Sequence, residues 1–357
     1  MKTQQLWINQ IKGLCICLVV IYHSVITFYP TLSGLESELA IKLAKAWTYL
    51  NLYLAPFRMP VFFFISGFLV RRYLASVPWK QCLDKRVVSI LYVLLLWGLI
   101  QWLCLTQINH WLAPERDLSA SSNAAYATSP GGFLFSMLTA STSLWYLYAL
   151  VIYFVVLKPL TRWHMPVLLL LVILNIGINF LPLPWWGMNS ILRNMVYYAL
   201  GAWCGEQLIA WMKSLTLRRA LLPFTVALGV SLALWLSNVA LALSLLSILF
   251  FMVLFYRLDQ ARPASPSSLL NVVGSNTLAI YTTHRILVEI MSLSTGHAIN
   301  QHQFGDNVTL MILVFYPAVA LLLCVGAGLA IRSLSKALLN DVLFTAPKPL
   351  QLQSATR

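Results

Sequence analysis

Apolar residues run through this chain in blocks of about twenty, and short polar stretches holding most of the basic residues separate them. A bilayer-spanning helix needs about twenty mainly apolar residues, so the pattern predicts about ten spans. They lie near 11–29, 49–70, 87–105, 143–160, 165–181, 190–210, 220–236, 239–256, 271–293 and 308–331. Pro56, Arg58 and Pro60 interrupt the second block, and a tight turn near Ser237-Asn238 joins 220–236 to 239–256. The predicted fold is all-α, a polytopic membrane helix bundle. The longest polar stretch, about 106 to 131, reads as an extracytoplasmic loop that is flexible and covers a site. Residues 1–345 form one integral membrane domain, and 346–357 are expected to be a disordered, solvated tail.

Composition agrees with this reading. The 357 residues are 60% hydrophobic and 10% charged, whereas soluble domains carry about 25% charged residues, which excludes a water-soluble fold. The 24 Lys+Arg against 10 Asp+Glu give a formal charge of +14. Starting from a cytoplasmic N-terminus, alternation places most of these cations on one side: Arg71, Arg72, Lys80, Lys85 and Arg86; Lys158 and Arg162; Lys213, Arg218 and Arg219; Arg257 and Arg262; Arg332, Lys336, Lys348 and Arg357. The opposite connections hold Lys42, Lys45 and Arg116 beside Glu36, Glu38, Glu115, Asp117 and Asp306. That asymmetry predicts both termini in the cytoplasm and accounts for the positive charge without a nucleic-acid partner. The exit of the first block, Tyr29-Pro30-Thr31-Leu32-Ser33-Gly34, lacks an Ala-x-Ala-like cleavage site, so this block is read as a mature helix. Six scattered cysteines, none in Cys-x-x-Cys spacing, indicate neither a disulfide framework nor a metal centre.

Ionisable residues inside a bilayer are costly and usually serve function, which singles out Lys12, His23, Arg58, Arg193, Glu206, His284, Arg285 and Glu289. Lys12 and His23 lie eleven positions apart, close to three full helical turns, so they share one face of the first helix about 16 Å apart. Lys12 falls at the cytoplasmic boundary and His23 toward the extracytoplasmic half. Arg58 sits between two prolines that disturb a helix, a setting for substrate binding, for oxyanion stabilisation or for an internal ion pair. Trp145 and Tyr148 start the fourth block, either as an interfacial belt or as a sugar-stacking platform. Arg285 and Glu289 have the spacing of a neutralising pair, while His284 either packs or lines an acceptor site. Arg193 is read as an interfacial anchor, and Ser66-Gly67 as a place of close helix packing.

Lys12-x10-His23 resembles the Arg/Lys-x10-His signature in the first helix of the acyltransferase-3 family of integral membrane acyltransferases. Three further stretches are similar to that family: Phe57-Arg58-Met59-Pro60-Val61-Phe62-Phe63-Phe64-Ile65-Ser66-Gly67-Phe68-Leu69, Ser143-Leu144-Trp145-Tyr146-Leu147-Tyr148-Ala149-Leu150, and Val273-Gly274-Ser275-Asn276-Thr277-Leu278-Ala279-Ile280-Tyr281-Thr282-Thr283-His284. The family's Arg-x-x-Arg element has only approximate counterparts, Arg71-Arg72 and Lys85-Arg86. The resemblance implies a multi-pass protein of the bacterial inner membrane, without an added soluble domain. It implies transfer of an acyl group, acetyl first among them, from acyl-coenzyme A as co-substrate to a hydroxyl of an extracytoplasmic carbohydrate or glycolipid. No tightly bound cofactor is expected. In this scheme His23 is the base or a transient acyl carrier, Lys12, Arg71 and Arg72 meet the donor, and Trp145, Tyr148 and His284 meet the acceptor. A proton-coupled transporter that uses His23, Arg58, His284 and Glu289 as a relay is the alternative.

Overall fold

The computed structural model describes residues 6–119, 121–214, 217–347 and 350, and among these the regular structure is helical throughout. In chain order the helices are α1 (Leu6–Phe28), α2 (Glu38–Tyr53), α3 (Ala55–Ala75), α4 (Trp79–Leu83), α5 (Ser89–Leu112), α6 (Pro130–Leu138), α7 (Trp145–Leu160), α8 (His164–Gly177), α9 (Trp186–Ser214), α10 (Leu217–Leu236), α11 (Leu241–Ala261), α12 (Leu269–Ser275), α13 (Thr277–Asn300) and α14 (Asp306–Leu338). Each apolar segment of the sequence falls wholly or largely within one or two of these helices. Among the described residues, six helical runs are long and apolar enough to cross a membrane: Leu6–Thr31, Glu38–Ala75, Trp79–Leu112, Trp145–Gly177, Leu241–Ala261 and Asp306–Leu338. The segments 190–210 and 271–293 fall in α9 and in α12–α13, whose apolar character is diluted by residues such as Arg193, Asn194, His284, Arg285 and Glu289.

Two prolines set the local geometry at the start of α3. Pro56 occupies the first turn of α3, where a missing N–H costs nothing because that group has no helical partner. Pro60 lies within α3 and leaves the carbonyl four residues back, that of Pro56, without its helical donor. The expected block 49–70 is therefore split at Leu54 between α2 and α3. The tight turn before α11 is made by Asn238, whose φ of 63° lies in the left-handed region that asparagine tolerates better than most residues.

The most extensive helix contact among the described residues is that of α3 with α9. A Cβ at Gly67 would lie 2.0 Å from the Tyr198 carbonyl oxygen, and one at Gly201 would lie 1.9 Å from that of Phe64, so glycine is required at both crossings. α1 runs through the centre of the bundle, packed on α3, α11, α12, α13 and α14. After α14 the chain turns back: Asp341 pairs with Arg332 at 2.8 Å, and Phe344 stacks on Trp97 with centroids 5.5 Å apart. Ala346 is buried and its N–H donates to Ser89 Oγ, so packing continues past residue 345. Lys348, Arg357 and most of the expected tail lie outside the described residues.

Candidate functional site

A cavity of about 770 Å³ opens where the C-terminal half of α1, the first turns of α3, α7 and α9, the α10–α11 turn, α13 and residues 121–126 converge. His23, Arg58 and Trp145 all line it. His23 packs against Tyr22 and His284, with ring centroids 4.9 Å and 5.0 Å away. Its Nδ1 is buried without a hydrogen-bond partner. Arg58 is 6% exposed; its Nη1 donates to the Asn51 carbonyl oxygen at 2.8 Å and to Asn51 Oδ1 at 2.7 Å. The guanidinium also lies 4.2 Å above the Tyr22 ring, a cation–π contact. These partners are all neutral, and among the described residues Arg58 makes no internal ion pair.

His284 lies behind His23 and is fully buried. Arg285, next in sequence, faces the cavity and belongs to a network larger than the expected pair. Glu289 Oε2 lies 3.2 Å from Arg285 Nη2 and accepts from Tyr126 Oη at 2.6 Å, while its Oε1 accepts from Arg116 Nη1 at 2.7 Å and from Asn109 Nδ2 at 3.1 Å. Arg285 also donates to Tyr126 Oη and, at 2.6 Å, to Thr27 Oγ1. Arg116 and Tyr126 come from the long polar loop. That loop does cover the cavity, through Ser121, Ser122, Asn123 and Tyr126, and the buried carboxylate ties it down.

Trp145 and Tyr148 part company. Trp145, at the start of α7, faces the cavity, whereas Tyr148 is half-buried and donates to the Leu138 carbonyl oxygen. Tyr146 is the inward tyrosine: it stacks on Phe62 with centroids 4.6 Å apart and shares a 2.7 Å hydrogen bond with Ser66. The loop that delivers Ser143 and Trp145 contains Ala140, fully buried at φ 55°, a left-handed conformation that costs an alanine energy and that surrounding contacts must hold.

Arg71 and Arg72 line a second cavity of about 760 Å³ at the opposite ends of α3 and α9, with Lys85, Trp203 and Glu206. Arg71 Nε donates to Glu206 Oε1 at 2.6 Å. This pair is largely exposed and contributes little to stability. Lys12 is half-buried and lines neither cavity; its Nζ lies 3.4 Å from Oδ1 of Asn9, whose amide donates to the Asn271 carbonyl oxygen at 2.9 Å and to Ser275 Oγ at 3.0 Å. The predicted residues thus divide into a group around the His23 cavity, a group around the Arg71–Arg72 cavity and a lysine on α1.

Sequence reasoning missed part of the outer wall. Arg193, read as an anchor, lines the cavity with Ser190, Asn194 and Tyr197, and Trp186 and Trp235 add two further indoles. The spacing of 190, 193, 194 and 197 is that of a single helix face, and this polar stripe was the available signal.

Comparison with known proteins places this architecture. A model of the acyltransferase domain matches residues 5–330. The chain is 56% identical over 347 residues, 97% of either chain, to the protein named inner membrane protein YcfT of Escherichia coli strain K12. No solved structure matches. The relative's location and the long apolar helices make the protein a multi-pass protein of the inner membrane. With the family model spanning the bundle from α1 into α14, the chain belongs to the acyltransferase-3 family of integral membrane proteins.

Proposed function

We propose that the protein transfers a short acyl group, acetyl in the first instance, from a coenzyme-A thioester to a hydroxyl of an extracytoplasmic carbohydrate or glycolipid. The observation that carries this reading is the pairing of a histidine and a neutrally partnered arginine, His23 and Arg58, on the wall of one cavity roofed by a loop. The acceptor oxygen attacks the thioester carbonyl as His23 takes its proton, the charge on the carbonyl oxygen develops beside Arg58, the C–S bond breaks, and the thiolate recovers the proton from the imidazolium. A version in which His23 briefly carries the acyl group uses the same nitrogen.

Topology supports the division of labour. With the ten spans and cytoplasmic termini that the charge pattern predicts, the Arg71–Arg72 cavity and Lys12 lie on the side where acyl-coenzyme A is available, and the His23 cavity on the other. Lys12, Arg71 and Arg72 then meet the donor's phosphates, and Trp145 offers its ring to the acceptor.

The test is turnover by the purified protein in lipid vesicles supplied with radiolabelled acetyl-coenzyme A and an extract of envelope glycans. Label should appear on a glycan with wild type and be lost with His23→Ala of equal thermal stability. Absence of donor consumption by folded wild type under these conditions would reject acyl transfer in favour of transport.

A further inference from the structure

The two central histidines make a chemically asymmetric pair. His284 Nδ1 lies 2.7 Å from the carbonyl oxygen of Tyr281 and 3.2 Å from that of Ile280, on its own helix. Carbonyl oxygens only accept, so Nδ1 carries the proton and, in the neutral ring, Nε2 holds a lone pair. That Nε2 is buried and receives no hydrogen bond. On the facing ring, His23 Nδ1 is also buried and without a partner. The rings are 5.0 Å apart between centroids and inclined at 49°. Buried polar nitrogens are expensive to leave unpaired, and these two belong to rings that pack together. An acceptor fixed on one ring is satisfied by a donor on the other only if His23 is protonated on Nδ1, since two lone pairs cannot bond to each other.

We infer that His284 is a positioning residue that selects the tautomer of His23, holding the proton on Nδ1 and the lone pair on Nε2. The consequence is directional. With Nδ1 engaged by His284, Nε2 is the nitrogen left for the cavity that His23 lines. A lone pair there can take a hydroxyl proton or attack an acyl carbon; an N–H there can do neither. The selection therefore serves both versions of the reaction, and its catalytic meaning rests on the acyl-transfer reading above. The pair has the logic of a base held by an orienting partner, with a neutral ring acting as the hydrogen-bond acceptor behind the base. No residue outside α1 and α13 is needed to define it, although Tyr22, Tyr281, Arg58 and Arg285 surround the two rings or share their cavity.

The direct readout is ¹⁵N NMR of histidine-labelled, full-length protein in lipid nanodiscs at mildly alkaline pH, with the His23 signals assigned by their loss in His23→Asn. Wild type should show His23 protonated on Nδ1. His284→Phe, which removes the acceptor, should move His23 to the Nε2-protonated form, and His284→Gln, whose amide oxygen accepts, should retain the Nδ1 form. In vesicle turnover, His284→Phe should lower kcat by about 10²- to 10⁴-fold with the donor KM unchanged, the range of general-base effects, while His284→Gln stays within about tenfold of wild type. A wild-type spectrum with His23 protonated on Nε2 overturns the inference, and so does a tautomer unmoved in folded His284→Phe. Should that variant not fold, the wild-type spectrum alone still decides. The spectrum needs no acyl donor, so the tautomer can stand even if His23→Ala turns out to leave transfer intact, an outcome that would reject the functional reading instead.

Discussion

Glu289 is the residue whose removal should cost the fold most. Its side chain is 0% exposed and lies between Arg285, 8% exposed, and Arg116, 35% exposed. Replacing the carboxylate with a methyl group in Glu289→Ala strands the Arg285 guanidinium in an apolar interior with only hydroxyl partners, a loss of about 3–5 kcal/mol. Arg116→Ala removes the more exposed cation and leaves the Arg285–Glu289 pair intact, so its cost should be nearer about 1 kcal/mol. The double variant Glu289→Leu/Arg285→Leu removes charge and counter-charge together and should be less destabilised than Glu289→Leu alone, because no buried charge is left unpaired. Reversible unfolding in mixed detergent micelles, followed by tryptophan fluorescence, gives the free energies. Limited proteolysis reads the local effect: Arg116→Ala should expose residues 113–126 to cleavage while the bundle stays folded. Equal costs for Glu289→Ala and Arg116→Ala, or strictly additive losses in the double variant, would refute the idea that a buried carboxylate anchors the loop.

The donor and acceptor ends can be probed separately. Lys12→Ala should raise the KM for acyl-coenzyme A more than Lys12→Arg does, since either cation can meet a phosphate; equal kinetics for both variants would remove that role. Trp145→Ala should raise the acceptor KM several-fold, the loss of an aromatic contact of about 0.5–1.5 kcal/mol, whereas Tyr148→Ala, outside the cavity, should leave it near the wild-type value. Gly201→Val places a branched side chain where a single Cβ would already lie 1.9 Å from the Phe64 carbonyl oxygen, so a thermal melt should show a protein destabilised by about 1–3 kcal/mol or more, and an unchanged melt would mean that α3 and α9 sit further apart than described.

What the sequence reveals about this site follows from what periodicity can encode. A run of apolar residues specifies a helix, and the spacing of 12 and 23 specifies a shared face, but neither states which neighbour that face meets. His23 therefore lines the outer cavity while Lys12 turns toward Asn9 and the start of α12. Likewise the sequence marks Ser143 to Leu150 as a site element, yet residues 146 and 148 differ by about 200° around a helix, and only packing against Phe62 and Ser66 makes Tyr146 the inward one. The loop tether was illegible for a different reason. Arg116 and Glu289 are 173 positions apart, and each has an innocent local reading, one as a loop cation and the other as half of a helical pair. The tertiary contact that joins them has no periodic signature.

The arrangement of α3 and α9 gives the proposed reaction a physical rationale. Both helices contribute to both cavities, with Arg58 and Arg193 at one end and Arg72 and Glu206 at the other. Arg58 and Arg72 are fourteen residues apart on one helix, about 21 Å along its axis. Between them lies an aromatic layer, with Phe63 within 5.0–5.6 Å of the Tyr146, Tyr153 and Trp145 rings and Tyr198 against Tyr153. A phosphorylated nucleotide cannot cross such a layer without a large desolvation cost, whereas a thin, mostly uncharged arm bearing a thioester can be accommodated by movements of rings. A donor that leaves its phosphates at Arg71 and Arg72 and presents only its acyl end to His23 uses charge where the protein has charge and apolar packing where it has rings. A transporter would have to carry its whole substrate through that layer, which makes the separation of the two charged ends easier to reconcile with group transfer than with passage of an intact polar molecule.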